Sequence, residues 1–404
     1  MKKFEYEARD NSSNKIVKSI VQAESENAAA KLLVNQGFIP LVIKEDGAGG
    51  GFVGNLTGRI KTKDKIVFTR QLATLIGAGL PLSQSLHTVL EQTENKKLQD
   101  ITQEIIADVE GGQQLSNAFG KHPEVFDKVF LALVAAGEAS GTLDDALKRV
   151  AAQQEKDAAM MSKIRGALVY PIIVLFVILL VVVFMLLTVV PQVEKLYDDL
   201  GQALPFLTQI MVNAADAITR FWWIILISIG IGGYFLAQYL KTENGIRVMD
   251  TIKLNVPLFK GMFRKLYMAR FTRTGQTLLG TGVAMLDMLR ISSNSVNNVL
   301  ISESIDRAAE KVKGGKALSS SLAREDQYIL SMVPQMIKIG EQSGKIDEMM
   351  GKTAQVYEDE LDAEIAAIST AIEPILMVFL AVVAGGMVGA ILFPIYSLVN
   401  NINV

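Results

Sequence analysis

A tandem duplication constrains the fold of this chain more than any other feature of its sequence. Short motifs recur at a constant separation of 203 residues, and chance similarity does not keep its register from Phe68 to Pro191. Because repeats indicate a duplicated structural unit, we expect two copies of one helical domain, each followed by a membrane segment. The matching strings are Phe68-Thr69-Arg70 and Phe271-Thr272-Arg273, Gly111-Gly112 and Gly314-Gly315, the Gly-Glu-x-Ser-Gly motifs at 137–141 and 340–344, and Pro171 and Pro374.

Three uncharged apolar runs predict membrane-spanning helices. They cover residues 167–190, 221–240 and 375–399, and each has about the 20 residues that a helix needs to cross a bilayer. Backbone polar groups must be satisfied within such a segment, so each run is expected to be helical. The alternative is a buried core helix, but three uncharged runs of this length are hard to bury in a chain of 404 residues.

The distribution of lysine and arginine predicts the orientation. The region between the first two runs, 191–220, carries only Lys195 and Arg220 as basic residues. Positive residues stay on the cytoplasmic side of a membrane. We therefore expect the N-terminus and both repeated domains in the cytoplasm, with 191–220 and the C-terminus outside. The basic residues on the predicted cytoplasmic side include Lys148, Arg149, Lys156, Lys163, Arg165, Lys241, Arg247, Lys253, Lys260, Arg264, Lys265, Arg270 and Arg273.

Composition excludes several kinds of function. The chain has no cysteine, which rules out disulfides, thiolate metal sites and thiol nucleophiles. The net charge is only -2, so no global field attracts nucleic acid. No constellation of catalytic residues is visible, and we predict a protein that is not an enzyme and needs no cofactor or metal.

Amphipathic segments with glycine breaks predict an all-α membrane protein whose two repeats are antiparallel helical bundles. Helices are expected near 98–109 and 125–136. Residues 1–45 alternate like strands around a helix at 25–36 and predict a small α/β module. The predicted domains are the α/β module (1–45), a glycine-rich linker (46–62), cytoplasmic helical domain 1 (63–166), span 1 (167–190), an external loop (191–220), span 2 (221–240), cytoplasmic helical domain 2 (241–371), span 3 (372–399) and an external tail (400–404).

The duplicated Gly-Glu-x-Ser-Gly motif predicts a helix-ending turn. Gly137 and Gly340 could end a helix in a left-handed cap, and Thr142 with Asp145 has the spacing of a capping box. A turn explains the glycines but not the glutamates. We therefore keep two alternatives for Glu138 and Glu341, which are helix punctuation and a contact with another helix or with a partner protein. Arg70, Arg273 and Glu373 are further candidate partner contacts.

Other motifs favour structural interpretations. Gly351-Lys352-Thr353 resembles the end of a phosphate-binding loop, but the glycine that such a loop needs five positions earlier is replaced by Ile346. An acidic cluster follows in the same helical pattern and lacks the spacing of a calcium loop, so we predict a solvated helix face. The cluster consists of Glu358, Asp359, Glu360, Asp362 and Glu364.

The third span carries small residues on one helical face. Ala381, Gly385 and Gly389 are four residues apart, which lets helix backbones approach closely in lipid. The face could serve packing within the chain or between protomers of a homo-oligomer. Glu373 precedes Pro374 at the start of this span, where a helix N-terminus would favour a carboxylate.

In their order, these motifs resemble the type II secretion F-protein family, the inner-membrane platform proteins of type IV pilus and type II secretion machines. The resemblance covers nearly the whole chain. It rests on Phe4-x-Tyr6-x-Ala8-x-Asp10, Gly37-Phe38-x-Pro40, Phe68-x-Arg70-Gln71-Leu72, Gly77-x-Gly79-x-Pro81-Leu82, the Gly-Glu-x-Ser-Gly turns, Tyr170-Pro171 and Glu373-Pro374.

The resemblance implies a role in fibre assembly at the bacterial inner membrane. Such proteins couple a cytoplasmic hexameric ATPase to the insertion of pilin or pseudopilin subunits into a fibre, and they work with other inner-membrane assembly proteins. The alternative is a small-molecule membrane transporter. A transporter is expected to carry broken helices and charges within its spans, and the three runs contain no charge.

Overall fold

The structure, a computed structural model, describes residues 2–10, 16–23, 30, 32, 38–45, 59–199, 206–323 and 328–402. At the N-terminus, β1 (Lys2–Asp10), β2 (Ile16–Ala23) and β3 (Phe38–Glu45) form an antiparallel sheet in the order β2-β1-β3. Phe4 pairs with Val21 on one side and with Glu45 on the other. Strands are therefore present within 1–45, as the alternating pattern predicted. Most of the predicted helix at 25–36 and of the linker at 46–62 lies outside the described residues.

Helices joined by short turns make up the rest of the described chain. The first repeat contains α1 (Thr62–Gly77), α2 (Leu82–Gln92), α3 (Lys96–Glu110), α4 (Leu115–Gly120), α5 (Lys128–Ser140) and α6 (Leu143–Thr188). Then come α7 (Val190–Asp199), α8 (Phe206–Tyr239) and α9 (Glu243–Asn255). The second repeat contains α10 (Lys260–Leu279), α11 (Met285–Ser295), α12 (Val299–Lys313), α13 (Leu318–Ala323), α14 (Met332–Ser343) and α15 (Ile346–Ile402).

The two repeats use the same local structure at equivalent positions. Both ends of α11, α12 and α13 lie 203 residues after the ends of α2, α3 and α4. Glycines with positive φ recur at the same separation, because a left-handed residue without a β-carbon is needed at each of these turns. The pairs are Gly79 and Gly282, Gly112 and Gly315, and Gly141 and Gly344.

Aromatic packing organises the first bundle. The rings of Phe119 and Phe126 lie 4.4 Å apart, and Phe130 packs edge-on against Phe119 at 4.9 Å. The helix predicted at 125–136 begins later, at Lys128, because the Asp127 carboxylate accepts a hydrogen bond from the backbone N–H of Phe130 at 2.8 Å and caps α5. Phe126 is buried in the turn before α5. Because it is apolar, the amphipathic pattern included it and placed the start of the helix too early.

Two long helices join the bundles to the predicted spans. α6 runs without a break from the first bundle through Pro171, and α15 does the same from the second bundle. The boundaries predicted at 166 and 371 fall inside these helices. Within the part of the chain that the structure describes, three helical segments, within 143–199, 208–239 and 346–389, are long and apolar enough to cross a membrane.

The predicted external loop is largely helical. α7 and the first turns of α8 occupy most of 191–220, and α8 has a non-helical backbone at Phe221, where the predicted second span begins. Val190 packs against Val212 and Ala215 in a buried cluster. Burial of these apolar side chains offsets the cost of ordering the segment. Its predicted position outside the membrane stays a prediction.

Candidate functional site

The duplicated glutamates cap short helices within their own repeats. The Glu138 carboxylate accepts hydrogen bonds from the backbone N–H groups of Leu115 at 2.7 Å and Ser116 at 3.2 Å, and from the Ser116 hydroxyl at 2.8 Å. Glu341 accepts from the backbone N–H of Ser319 at 3.1 Å and from its hydroxyl. A carboxylate at a helix N-terminus satisfies N–H groups that have no partner within the helix. This capping explains why glutamate recurs, and a contact with a partner protein stays a prediction.

The glycines of these turns have different roles from those predicted. The left-handed caps are Gly141 and Gly344, with φ of 73° and 72°. Gly137 lies inside α5, where an added β-carbon would come within 2.5 Å of Ala146. It therefore permits the close approach of α6. Thr142 makes no side-chain cap at the start of α6, so the predicted capping box does not form.

A buried ion-pair network joins the two repeats. The Arg273 guanidinium donates to Glu358 Oε1 at 2.8 Å, and Lys156 of the first repeat donates to Glu358 Oε2 at 2.7 Å. The side chains of Arg273 and Glu358 are only 14% and 11% exposed. Burial raises the pKa of Glu358, but its hydrogen bonds to Arg273 and Lys156 and their charges outweigh burial and hold that pKa below its usual range.

The equivalent pair in the first repeat is exposed. Arg70 and Glu155 lie 203 residues before Arg273 and Glu358, and Arg70 donates to Glu155 Oε2 at 2.5 Å. Their side chains are 65% and 31% exposed. Of the two predicted arginines, Arg70 is thus accessible to a partner, whereas Arg273 is largely covered by its own chain.

The acidic cluster of α15 is only partly the solvated face that was predicted: Asp359 and Asp362 are exposed, but several of its carboxylates form ion pairs. Besides Glu358, Asp362 pairs with Lys163 of the first repeat at 2.6 Å, and Glu364 pairs with Lys265 at 2.5 Å. The sequence pattern did not reveal these partners, because Lys156 and Lys163 belong to a helix about 200 residues away along the chain. The constant offset of 203 residues, which relates the pair of Arg70 and Glu155 to the pair of Arg273 and Glu358, was the one sequence signal that pointed to Glu358.

A cleft of about 530 Å³ lies between the two repeats, lined by residues of α5, α6, α10 and α11. Within it, Asp157 and Arg270 face each other across 3.9 Å, too far for a hydrogen bond. Burial raises the pKa of Asp157 to about 6, against the opposing effect of the Arg270 charge. On the outer part of the cleft, Lys128 donates to Asn294 at 3.2 Å and ties the repeats together.

The small residues of the third span face away from the other spans. An apolar groove between α6, α8 and α15 is lined on α15 by Val382, Val383, Gly386 and Met387. Ala381, Gly385 and Gly389 are exposed, and a β-carbon added at either glycine would have no heavy atom within 4 Å among the described residues. This placement favours contact between protomers over packing within the chain. Glu373 is exposed too, but it lies far inside α15, so the predicted benefit from a helix N-terminus does not apply.

We expect Gly385→Ile to weaken self-association of the protein. The branched side chain fits the single chain but prevents close approach of a second helix, so the dissociation constant of the oligomer should rise by at least about tenfold. The measurement is sedimentation of the purified protein in detergent. Gly232→Ile is the matched control, because Gly232 also has open space around its missing β-carbon. An unchanged oligomer in the Gly385→Ile variant would show that this face is not a protomer contact.

Taken together, the duplicated bundles, the helices that continue from them and the internal ion-pair network define a membrane protein built on a tandem repeat. Among the described residues, no group of three or more histidine, cysteine, aspartate or glutamate side chains could hold a metal ion.

The sequence model of the family described as "Type II secretion system (T2SS), protein F" matches residues 68–191 and again residues 271–394. The N-terminal domain model of the same family matches residues 1–44. The chain belongs to this family, and the two matches confirm the predicted duplication.

Curated relatives match over nearly the whole chain. A type IV pilus assembly protein PilC of Thermus thermophilus is 36% identical over 411 residues, covering 99% of both chains. A protein of the same name from Pseudomonas aeruginosa is 35% identical, covering 91% of this chain and 98% of its own. A type II secretion system protein F of Xanthomonas campestris is 34% identical, covering 99% of each. The relatives thus include proteins of both machines.

Proposed function

We propose that this protein is the inner-membrane platform of a type IV pilus or type II secretion machine. The main support is the match of the family model to both repeats. Relatives from both kinds of machine also align with the chain from end to end. The platform would couple a cytoplasmic hexameric ATPase to the insertion of pilin or pseudopilin subunits into a fibre. The alternative, a small-molecule transporter, predicts charged side chains within the spans, and the three apolar runs contain none.

The helices support a mechanical role. α6 and α15 each continue from a bundle into an apolar segment, so a displacement of either bundle would move a membrane helix with it. Lys156 and Lys163 of α6 bind Glu358 and Asp362 of α15, which ties the two helices together on the bundle side of the apolar segments. A force applied to one repeat by a motor would therefore reach both helices.

Deletion of the gene tests the proposed function. We expect loss of surface fibres or of secretion, with recovery when the wild-type gene is returned. Crosslinking in cells followed by purification should recover the ATPase and a pilin or pseudopilin with the platform. Normal fibres and normal secretion in the deletion strain would contradict the proposal.

The proposed orientation places both repeats in the cytoplasm. Because the chain has no native cysteine, single cysteines report accessibility cleanly. We expect Asp199→Cys to react with a membrane-impermeant thiol reagent in spheroplasts, and Lys313→Cys to react only after lysis. Reaction of both variants before lysis would exclude the predicted arrangement of three spans.

A further inference from the structure

Equivalent faces of the two repeats lie in different surroundings. In the second repeat, α6 of the first repeat covers the face that contains Arg270, Arg273 and Glu358. No other described residue covers the corresponding residues of the first repeat, 203 positions earlier, to the same extent: the Arg70 side chain is 65% exposed and that of Glu155 is 31% exposed. We call this set the open face; it consists of Val67, Arg70 and Glu155, with Ala159 as the counterpart of Asp362. Val67 is 42% exposed, whereas the side chain of its counterpart Arg270 is 14% exposed.

This difference in exposure shows that the repeats do not pack around a two-fold axis. A two-fold arrangement would bury both copies of the face equally. Instead, α6 of the first repeat packs against the second repeat's equivalent of the open face. Two different surfaces meet, so the contact is heterologous. Such a contact leaves one free copy of each surface. The open face is the free copy in the first repeat.

The carboxylate oxygens indicate what the open face would bind. In the second repeat, Glu358 uses Oε1 for Arg273 and Oε2 for Lys156. In the first repeat, Arg70 reaches Oε2 of Glu155, and Oε1 has no hydrogen-bond partner among the residues that the structure describes. In the second repeat the corresponding partner is Lys156, a cation on a helix. Glu155 lacks such a partner among the described residues.

A second copy of this chain does not supply that cation through the same mode of packing. The residue of the second repeat that is equivalent to Lys156 is Asp359. Packing of a second copy's α15 on the open face would bring Asp359 toward Glu155, and like charges at such a contact are unfavourable. The sequence of the second repeat thus disfavours continued self-association through this surface.

We propose that the open face binds a helix of a different protein, which places a lysine or arginine side chain on Oε1 of Glu155 and apolar or small residues against Val67 and Ala159. The proposed contact has the same form as the contact within the chain between α6 and the second repeat. The proposal deepens the proposed function, because the partner would belong to the same membrane assembly.

Thiol footprinting tests the proposal in the full-length protein. The Val67→Cys variant is labelled with a maleimide in permeabilised cells that contain the whole assembly machinery, and again after purification in detergent. We expect labelling in cells to be slower by about tenfold, because the bound helix covers the residue. Glu310→Cys, on an exposed surface of the second repeat, serves as the control and should react equally in both preparations.

Charge variants test the chemistry of the partner. Addition of Glu155→Lys to Val67→Cys should restore fast labelling in cells, because the new cation repels the partner. Glu155→Gln should restore it in part without adding a repulsive charge. Glu310→Lys is the matched charge reversal and should leave the protection in place. Thermal unfolding of each purified variant shows whether it is folded.

Three results would overturn the proposal. Equal labelling of Val67→Cys in cells and after purification would show that nothing covers the face. Slow labelling in the purified protein would show that this chain itself, through another segment or a second copy, covers it. Protection that survives Glu155→Lys would show that no cation is bound there. Fibre assembly or secretion by the Val67→Cys strain is measured in parallel, so failure of the proposed function is detected separately.

Discussion

Glu358→Ala is expected to destabilise the full-length protein by about 3–5 kcal/mol, because the change leaves the largely buried Arg273 without its carboxylate. The half-exposed Lys156 loses the same partner and contributes less. Thermal unfolding in detergent, followed by circular dichroism, should show a Tm several degrees lower than that of the wild type. Limited proteolysis should also become faster in α6 and α15, which the network joins.

The duplicated chain contains the matched control for this experiment. Glu155→Ala removes the equivalent carboxylate, but from an exposed pair, and should cost about 0–1 kcal/mol in the isolated protein. The pKa of Glu358 is lowered in the folded state, so its contribution is present above the unfolded pKa and is lost as the pH falls through the folded pKa. The difference between the wild type and Glu358→Ala should therefore shrink below about pH 4. Equal losses for the two variants would contradict the role assigned to the buried network.

The double variant Glu138→Ala, Glu341→Ala is expected to lose both helix caps and to slow or abolish fibre assembly. Each carboxylate accepts from a backbone N–H and from a serine hydroxyl of the same short helix. Loss of a cap costs about 0.5–2 kcal/mol at each site. The Tm of the purified protein and the number of fibres per cell, or the secreted protein, are the two measurements.

The combination of results separates the two alternatives for these glutamates. If they act only as caps, the double variant should lower Tm, and fibre assembly should fall in proportion to the folded protein that remains. If they also contact a partner, assembly should fail even where the protein stays folded and inserted. Glu310→Ala removes an exposed glutamate of the second repeat and should change neither measurement. Normal Tm and normal assembly in the double variant would contradict both roles.

Local sequence signals predicted the elements of this fold well. The repeat offset anticipated equivalent helix ends and equivalent left-handed glycines, because turn chemistry depends on residues that are neighbours along the chain. The three apolar runs overlap helical segments that are long and apolar enough to span a membrane. The sequence predicted 191–220 only as an external segment and did not anticipate its helices, because the burial of Val190 against Val212 depends on how two helices meet.

The sequence by itself therefore determined the duplication, the helical class, the membrane segments and the positions of the turns. Only the tertiary structure decided which of two equivalent side chains is buried. Arg70 and Arg273 occupy the same place in their repeats, yet the second is covered by α6 and the first is exposed. Tertiary packing likewise brought Glu138 to Ser116 and Lys156 to Glu358. The physical reason is that burial and ion pairing depend on the packing of helices that are distant along the chain, whereas helix ends and turns depend on nearby residues.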